Sequence, residues 1–200
     1  MVMEKIIEYF KKNGYARMKE LKKVSIPTRD ISRLLKQDII HKIKPGLYRL
    51  NDIPDFNGIS SSIIDICQAI PKGVICLISA LDFYDLTTFN PFEIYVAVPQ
   101  GDKIHKIIYP PVKGYYFSQN LYEAGIQVFN TPYGPVKIYN REKTICDMFR
   151  YRNKLGEDLA LEGLKNYLEL SGSSINKLRK YAKICHVDSI IYPYLKALVV

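Results

Sequence analysis

The chain has 200 residues, of which 48% are hydrophobic and 24% charged, proportions typical of a globular protein with a substantial core. No run of about eighteen uncharged apolar residues occurs, so the sequence predicts no membrane span, and its charged, amphipathic start is unlike a secretion signal. Four widely separated cysteines form no CxxC pair, which favours buried thiols in a reducing cytoplasm over zinc ligands or disulfides.

The net charge of +9 is concentrated in the first quarter of the chain. Residues 1–50 contain 13 Lys and Arg against 5 Asp and Glu, whereas residues 51–200 contain 16 against 15. A basic segment joined to a nearly neutral remainder indicates a polyanion-binding head and a second part with a different task.

The first fifty residues predict three short helices. Apolar residues at spacings of three and four predict a helix over residues 2–12, which Asn13-Gly14 ends. A second helix is expected over residues 15–24. The third, over residues 28–37, has Pro27 at its start, a position where a missing N–H costs nothing.

The third predicted helix has one apolar and one basic face. Ile31, Leu34 and Leu35 lie on the apolar side at helical spacing. The opposite side carries Thr28, Arg29, Ser32, Arg33 and Lys36. Hydroxyl, guanidinium and ammonium groups together can bind phosphates and reach base edges. From this helix alone, an ordinary solvated face is the alternative.

A basic hairpin follows the third helix. Two short alternating segments, residues 39–44 and 47–50, flank Pro45-Gly46, which is a hairpin signal. Three helices followed by a basic hairpin predict a winged helix-turn-helix, in which the third helix enters the major groove and the hairpin contacts the backbone or minor groove. Small α/β modules that bind proteins can share this pattern.

The rest of the chain predicts a second domain of the α+β class. Residues 51–58, rich in Asp, Asn, Pro and Gly, predict a linker, so we expect domains at residues 1–52 and 53–200. The second should contain a helix after Ser60–Ser62, a buried helix or a strand in the apolar run after Gly73, and a small, mostly antiparallel sheet. The other strands are expected at residues 93–98, 113–117, 126–130 and 136–139. The last third predicts helices beginning near Asn140, Gly156, Ser173-Ser174 and Pro193.

We find no catalytic motif in the sequence. The three histidines have no metal-ligand or triad partner at a diagnostic spacing, and glycine motifs for nucleotide binding or an activated serine are absent. Asp82, Asp85 and Glu93 are spaced loosely like nuclease carboxylates, but no suitably placed lysine accompanies them. Gly172-Ser173 resembles a nucleotidyltransferase loop without paired carboxylates, so a helix cap explains it better. We therefore expect a protein that is not an enzyme and needs no metal or cofactor.

Two basic clusters in the last third could form a partner surface. They comprise Arg150, Arg152, Asn153 and Lys154 at one predicted helix end, and Arg179, Lys180 and Lys183 on a later helix. Cations also suit the negative end of a helix dipole, so a purely structural patch is an equal alternative.

Three segments closely resemble the AbiEi family of abortive-infection antitoxins: GVICLISALDFYDLTTFNPFEIYVAVPQG, YNREKTICDMFRYRNKLGEDLALEGL and LRKYAKICHVDSIIYPYLKAL. The basic hairpin ending GLYRL is similar to that of the family's N-terminal winged helix. The resemblance implies a cytoplasmic autorepressor that binds double-stranded DNA at inverted repeats in its own promoter. It also implies that residues 53–200 counter an AbiEii-like nucleotidyltransferase toxin in a type IV toxin–antitoxin system for phage defence, in which a stable complex with the toxin is not required.

We expect the DNA contacts to lie in the basic module. Arg29, Ser32 and Arg33 are expected at base edges or deep in the groove, with Thr28 and Lys36 at phosphates. Further backbone contacts are expected from the second helix and the wing, namely Arg17, Lys19, Lys42, Lys44 and Arg49. The alternatives are a winged-helix regulator without antitoxin activity and an adaptor whose winged helix binds protein.

Overall fold

The computed structural model describes residues 2–198, apart from the side chains of Val2, Met3 and Lys5. The N-terminal elements are α1 (Val2–Asn13), β1 (Tyr15–Arg17), α2 (Met18–Lys23), α3 (Thr28–Lys36), β2 (Ile40–Lys44) and β3 (Leu47–Leu50). The central elements are α4 (Ser61–Ala69), β4 (Val74–Ile75), α5 (Leu77–Phe83), β5 (Ile94–Pro99), β6 (Val112–Phe117), α6 (Gln119–Glu123), β7 (Ile126–Thr131) and β8 (Gly134–Tyr139). The helical tail consists of α7 (Arg141–Arg150), α8 (Arg152–Leu155), α9 (Glu157–Glu169), α10 (Ile175–Ile184) and α11 (Asp188–Leu198). Within residues 2–198, no helix is long and apolar enough to span a membrane.

The N-terminal elements form a winged helix-turn-helix. Helices α1, α2 and α3 pack on a three-stranded antiparallel sheet with the strand order β1-β3-β2. Their common core contains Ile6, Phe10, Leu21, Ile31 and Leu34. The β2–β3 hairpin is the wing, and α3 occupies the position of the recognition helix.

The second predicted helix begins three residues later than expected. Tyr15–Arg17 forms strand β1, with Ala16 opposite Tyr48 of β3, and α2 begins only at Met18. These residues form a strand rather than a helix because pairing with β3 extends the sheet and buries Tyr15 and Ala16. The helical spacing of nearby apolar residues gives no information about this pairing. Pro27 is the residue before α3 rather than a residue of its first turn.

The second part is built on a five-stranded sheet with the order β6-β5-β4-β8-β7. Strands β5 and β6 are parallel, as are β4 and β8, whereas β4 with β5 and β7 with β8 are antiparallel. The predicted α+β class is confirmed, but the sheet is mixed rather than mostly antiparallel. Parallel pairs need long crossover connections, and the alternation of side chains along a strand does not show which neighbour it will have.

The apolar run after Gly73 contains both of the predicted structures. Val74–Ile75 forms the central strand β4, and α5 begins at Leu77, whose φ of +51° turns the chain. The strand and most of the helix are buried. The run therefore lacks the alternation of polar and apolar residues that distinguishes a strand from a helix in sequence.

Three helices begin at the capping residues that the sequence predicts. The side chains of Ser60, Asn140 and Ser174 accept hydrogen bonds from backbone N–H groups in the first turns of α4, α7 and α10. Pro193, in contrast, lies inside α11, which begins earlier, at Asp188. Pro193 has no backbone N–H, so the carbonyl four residues before it lacks its usual helical partner. Because Pro193 is exposed, that carbonyl lies near solvent rather than in the core.

Two hydrophobic clusters lie on the two faces of the large sheet. One joins Tyr115, Phe117 and Tyr139 to the C-terminal helices. The other joins sheet residues such as Val96 and Val98 to α4 and to the three-stranded N-terminal sheet, including residues of β1, β2 and β3. The predicted linker is packed into this second cluster through Ile53, and Ile59, which directly follows the linker, is buried in the same cluster.

Helix α7 contains a buried ion pair. Lys143 and Asp147 are both fully buried, and their Nζ and Oδ2 atoms are 2.5 Å apart. The Lys143 ammonium also lies 4.8 and 4.4 Å from the ring centres of Phe117 and Tyr139. Burial raises the pKa of Asp147, although the Lys143 charge opposes this shift. Since no part of the pair reaches the surface, its role is structural.

Candidate nucleic-acid interface

Helix α3 presents the predicted basic face to solvent. Ile31 and Leu34 are 1% and 0% exposed, respectively, and hold the opposite side of the helix in the core of the module. All five residues assigned to the outer face are exposed, namely Thr28, Arg29, Ser32, Arg33 and Lys36. Packing therefore fixes which side of α3 can contact a ligand.

The polar groups on this face are largely free to bind. The Ser32 hydroxyl donates to the carbonyl of Thr28 over 3.2 Å, which leaves the hydroxyl oxygen able to accept. Arg29 lies 3.9 Å from Asp30 but its side chain is 86% exposed. Among the described residues, neither Arg33 nor Lys36 takes part in an ion pair. The guanidinium and ammonium groups are thus available to an incoming polyanion.

The start of α2 lies beside the turn of the wing. The backbone N–H of Met18 donates to the carbonyl of Gly46 over 2.8 Å. Lys19 and Lys42, which we predicted to contact the DNA backbone, are both exposed.

Three other predicted DNA contacts point to α4 instead. The Arg17 Nη2 donates to the carbonyl of Gln68 over 3.3 Å, and the Lys44 Nζ donates to that of Ala69 over 2.5 Å. Arg49 is only 8% exposed, and its Nε lies 3.2 Å from Oδ2 of Asp65. Each strand of the three-stranded N-terminal sheet therefore contributes one cationic side chain that contacts α4.

These contacts have a simple electrostatic origin. The last carbonyls of a helix lack intrahelical partners and carry partial negative charge, so Arg17 and Lys44 stabilise the end of α4. Burial and the nearby Arg17 charge lower the pKa of Lys44. Arg49 is buried and cannot reach DNA in this arrangement, and we leave it out of the interface.

Asp65 is a buried structural partner of the three-stranded N-terminal sheet that the sequence did not reveal. Its carboxylate is fully buried, accepts a hydrogen bond from the Tyr15 hydroxyl over 2.6 Å and faces Arg49. Burial raises its pKa to about 6, opposed by the Tyr15 hydrogen bond and the Arg49 charge. The available signal was an aspartate on the apolar face of α4, between Ile64 and Ile66.

The predicted C-terminal partner clusters are only partly free. The Arg150 guanidinium lies 5.9 Å from the ring centre of Phe117, and the Lys154 ammonium lies 5.3 Å from that of Tyr115. Arg152 donates to the carbonyl of Phe149 over 2.9 Å. Asn153 is exposed, as are the α10 residues Arg179, Lys180 and Lys183. The first cluster therefore lies over aromatic side chains of β6, and the second faces solvent.

We found no constellation suited to metal binding. Among the side chains that the structure describes, no group of three or more His, Cys, Asp and Glu could hold a metal ion. All four cysteines are free and buried.

The fold and the exposed basic face of α3 identify the N-terminal module as a winged helix-turn-helix with an accessible recognition helix. Residues 4–51 match the family model described as the AbiEi antitoxin transcriptional regulator, which confirms the resemblance for this region. This match is to a family of regulators rather than enzymes. A search of curated proteins found no match to the chain.

Proposed function

We propose that the protein is a DNA-binding repressor of its own operon. The observation that carries this proposal is the free polar face of α3, opposite a fully packed apolar side, in a module that matches a regulator family. The concentration of positive charge in residues 1–50 supports binding to a polyanion, because displaced counterions favour association with DNA.

In the proposed complex, α3 lies in the major groove. Arg29, Ser32 and Arg33 read base edges, since guanidinium groups can bind guanine through two hydrogen bonds. Thr28 and Lys36 bind phosphates at the edges of the groove. Lys19 and Lys42 add backbone contacts from α2 and the wing, which position the module without reading sequence.

Fluorescence anisotropy with a fragment of the protein's own promoter tests this proposal. Arg33→Ala should weaken promoter binding by ~1–3 kcal/mol and reduce the preference over random DNA of equal length. Arg179→Ala, an exposed arginine on α10, is the matched control and should bind like wild type. Equal promoter affinities for wild type and Arg33→Ala would refute the reading role of α3.

The competing interpretation is an adaptor whose winged helix binds protein. The salt dependence of DNA binding distinguishes the repressor from the adaptor. The affinity of a repressor for DNA should fall steeply with salt. The logarithm of the association constant should drop by nearly one unit per phosphate contact for each tenfold increase in salt concentration. A protein that binds neither promoter nor random DNA at low salt is not a repressor.

We further propose that the protein is the antitoxin of a type IV, AbiE-like phage-defence system in the cytoplasm. Residues 53–200 would counter a nucleotidyltransferase-like toxin, and a stable complex with the toxin is not required. The exposed α10 side chains, Arg179, Lys180 and Lys183, are favoured over the α7–α8 cluster because aromatic and backbone contacts already engage much of the latter.

Coexpression with the product of the neighbouring gene tests the antitoxin proposal. Full-length protein should restore growth, and simultaneous replacement of Arg179, Lys180 and Lys183 by alanine should abolish protection while promoter binding persists. If the neighbouring gene is not toxic, the antitoxin proposal fails. We retain the division into domains at residues 1–52 and 53–200 as a proposal, and use the full chain because both parts contribute to one hydrophobic cluster.

A further inference from the structure

The connection between β5 and β6, residues 100–111, runs along the wing. The backbone N–H of Ile108 donates to the carbonyl of Ile43 in β2 over 2.7 Å. Strand β2 is an edge of the small sheet, so its outward backbone groups are open to such a bond. Ile104 and Ile107 pack into the same hydrophobic cluster as Ile43. A segment far from the winged module in sequence is thus fastened to it.

The basic side chains of this segment are exposed to solvent next to the wing. Lys103, His105 and Lys106 are exposed, and Lys103 and His105 line the same small cavity as Lys44. The one acidic residue between positions 100 and 111 is Asp102, whose Oδ2 lies 3.1 Å from the ammonium of Lys72. The connection therefore adds positive charge beside the wing, although residues 51–200 as a whole are nearly neutral.

We propose that residues 103–106 form a second DNA-backbone site, in which Lys103, His105 and Lys106 bind phosphates flanking the wing. This inference rests on the proposed repressor function. It extends the interface into a part of the chain outside the residues that match the regulator family.

The wing geometry explains why such a site is useful. Arg17, Lys44 and Arg49 direct their cationic groups to α4, which leaves Lys42 as the exposed cation on the wing strands. The adjoining segment supplies further exposed cations, of which Lys103 lines the same cavity as Lys44. Lysine ammonium groups on a loop suit phosphate binding, which sets the register of the protein on DNA without reading bases.

The expected effect follows from counterion release. Each phosphate contact contributes about 0.9 to the slope of log affinity against log salt, so loss of Lys103 and Lys106 should reduce that slope by about 1.8. The affinity lost between 50 and 200 mM salt should consequently shrink by roughly tenfold. Promoter and random DNA should both bind more weakly at low salt, and by the same factor.

The experiment compares full-length variants by anisotropy over this salt range. The test variant is Lys103→Ala/Lys106→Ala, and Lys165→Ala/Lys196→Ala, at exposed positions of α9 and α11, is the matched control with equal charge loss. Lys103→Arg/Lys106→Arg should restore the wild-type slope, and circular dichroism should show unchanged folding. Shortening the promoter fragment on the side of the wing should remove the difference between wild type and the test variant.

The outcomes separate the two proposals. If the test variant keeps the wild-type slope while Arg33→Ala loses promoter preference, the second site is refuted and the repressor function stands. If the Lys165→Ala/Lys196→Ala control lowers the slope as much as the test variant, the effect is one of total charge and the second site is again refuted. If the wild-type protein binds no DNA, both proposals fail.

Discussion

The buried contact between Arg49 and Asp65 predicts a large, pH-dependent loss of stability in the Arg49→Met variant. Methionine keeps the apolar bulk of the arginine stem but removes the charge that faces Asp65 at 3.2 Å. Breaking a buried ion pair by removing one partner costs ~3–5 kcal/mol, because the remaining charge is left without compensation. This cost applies while Asp65 is ionised.

The pH dependence of that loss has a defined sign. Burial already raises the pKa of Asp65 from 3.8 to about 6, and the Arg49 charge opposes this rise, so the variant should have a still higher pKa. A carboxyl group with a raised pKa in the folded state contributes stability below its unfolded pKa and loses that contribution as the pH rises through the folded pKa. The penalty of Arg49→Met should therefore be larger at pH 8 than at pH 5.

Urea denaturation followed by circular dichroism at both pH values measures this effect. Arg33→Met is the matched control, since the same substitution on the exposed face of α3 removes no buried contact. Equal unfolding free energies for Arg49→Met and Arg33→Met at pH 8 would refute the stabilising role of the wing–α4 contact.

Three further changes test individual contacts. Lys44→Ala should lower the unfolding free energy by about 1 kcal/mol, because it removes a hydrogen bond to the end of α4, and should change the salt slope of DNA binding less than Lys42→Ala. Lys143→Met should destabilise the protein by ~3–5 kcal/mol in thermal or urea unfolding, and additional replacement of Asp147 by leucine should recover much of this loss. Pro193→Ala should raise the melting temperature, since a proline in a helix interior costs ~3 kcal/mol relative to alanine; a lowered melting temperature would contradict this account of α11.

The sequence by itself determined the features that depend on neighbours along the chain. The free face of α3 could be predicted because Ile31 and Leu34 define its buried side within one helical turn. The helix starts at Ser60, Asn140 and Ser174 could be predicted because a capping side chain binds N–H groups three residues away. The concentration of charge in residues 1–50 needed only a count.

Only the tertiary structure decided which cations face solvent and which face the protein. Arg17, Lys44 and Arg49 look like DNA contacts in sequence, but α4 supplies the carbonyl and carboxylate groups that they contact, from positions 16 to 51 residues further along the chain. Lys103 and Lys106 lie in a nearly neutral part of the chain, and the Ile108 hydrogen bond to β2, together with the packing of Ile104 and Ile107, brings them beside the wing. The sign of a charge is a property of the residue, whereas its partner depends on contacts between distant segments.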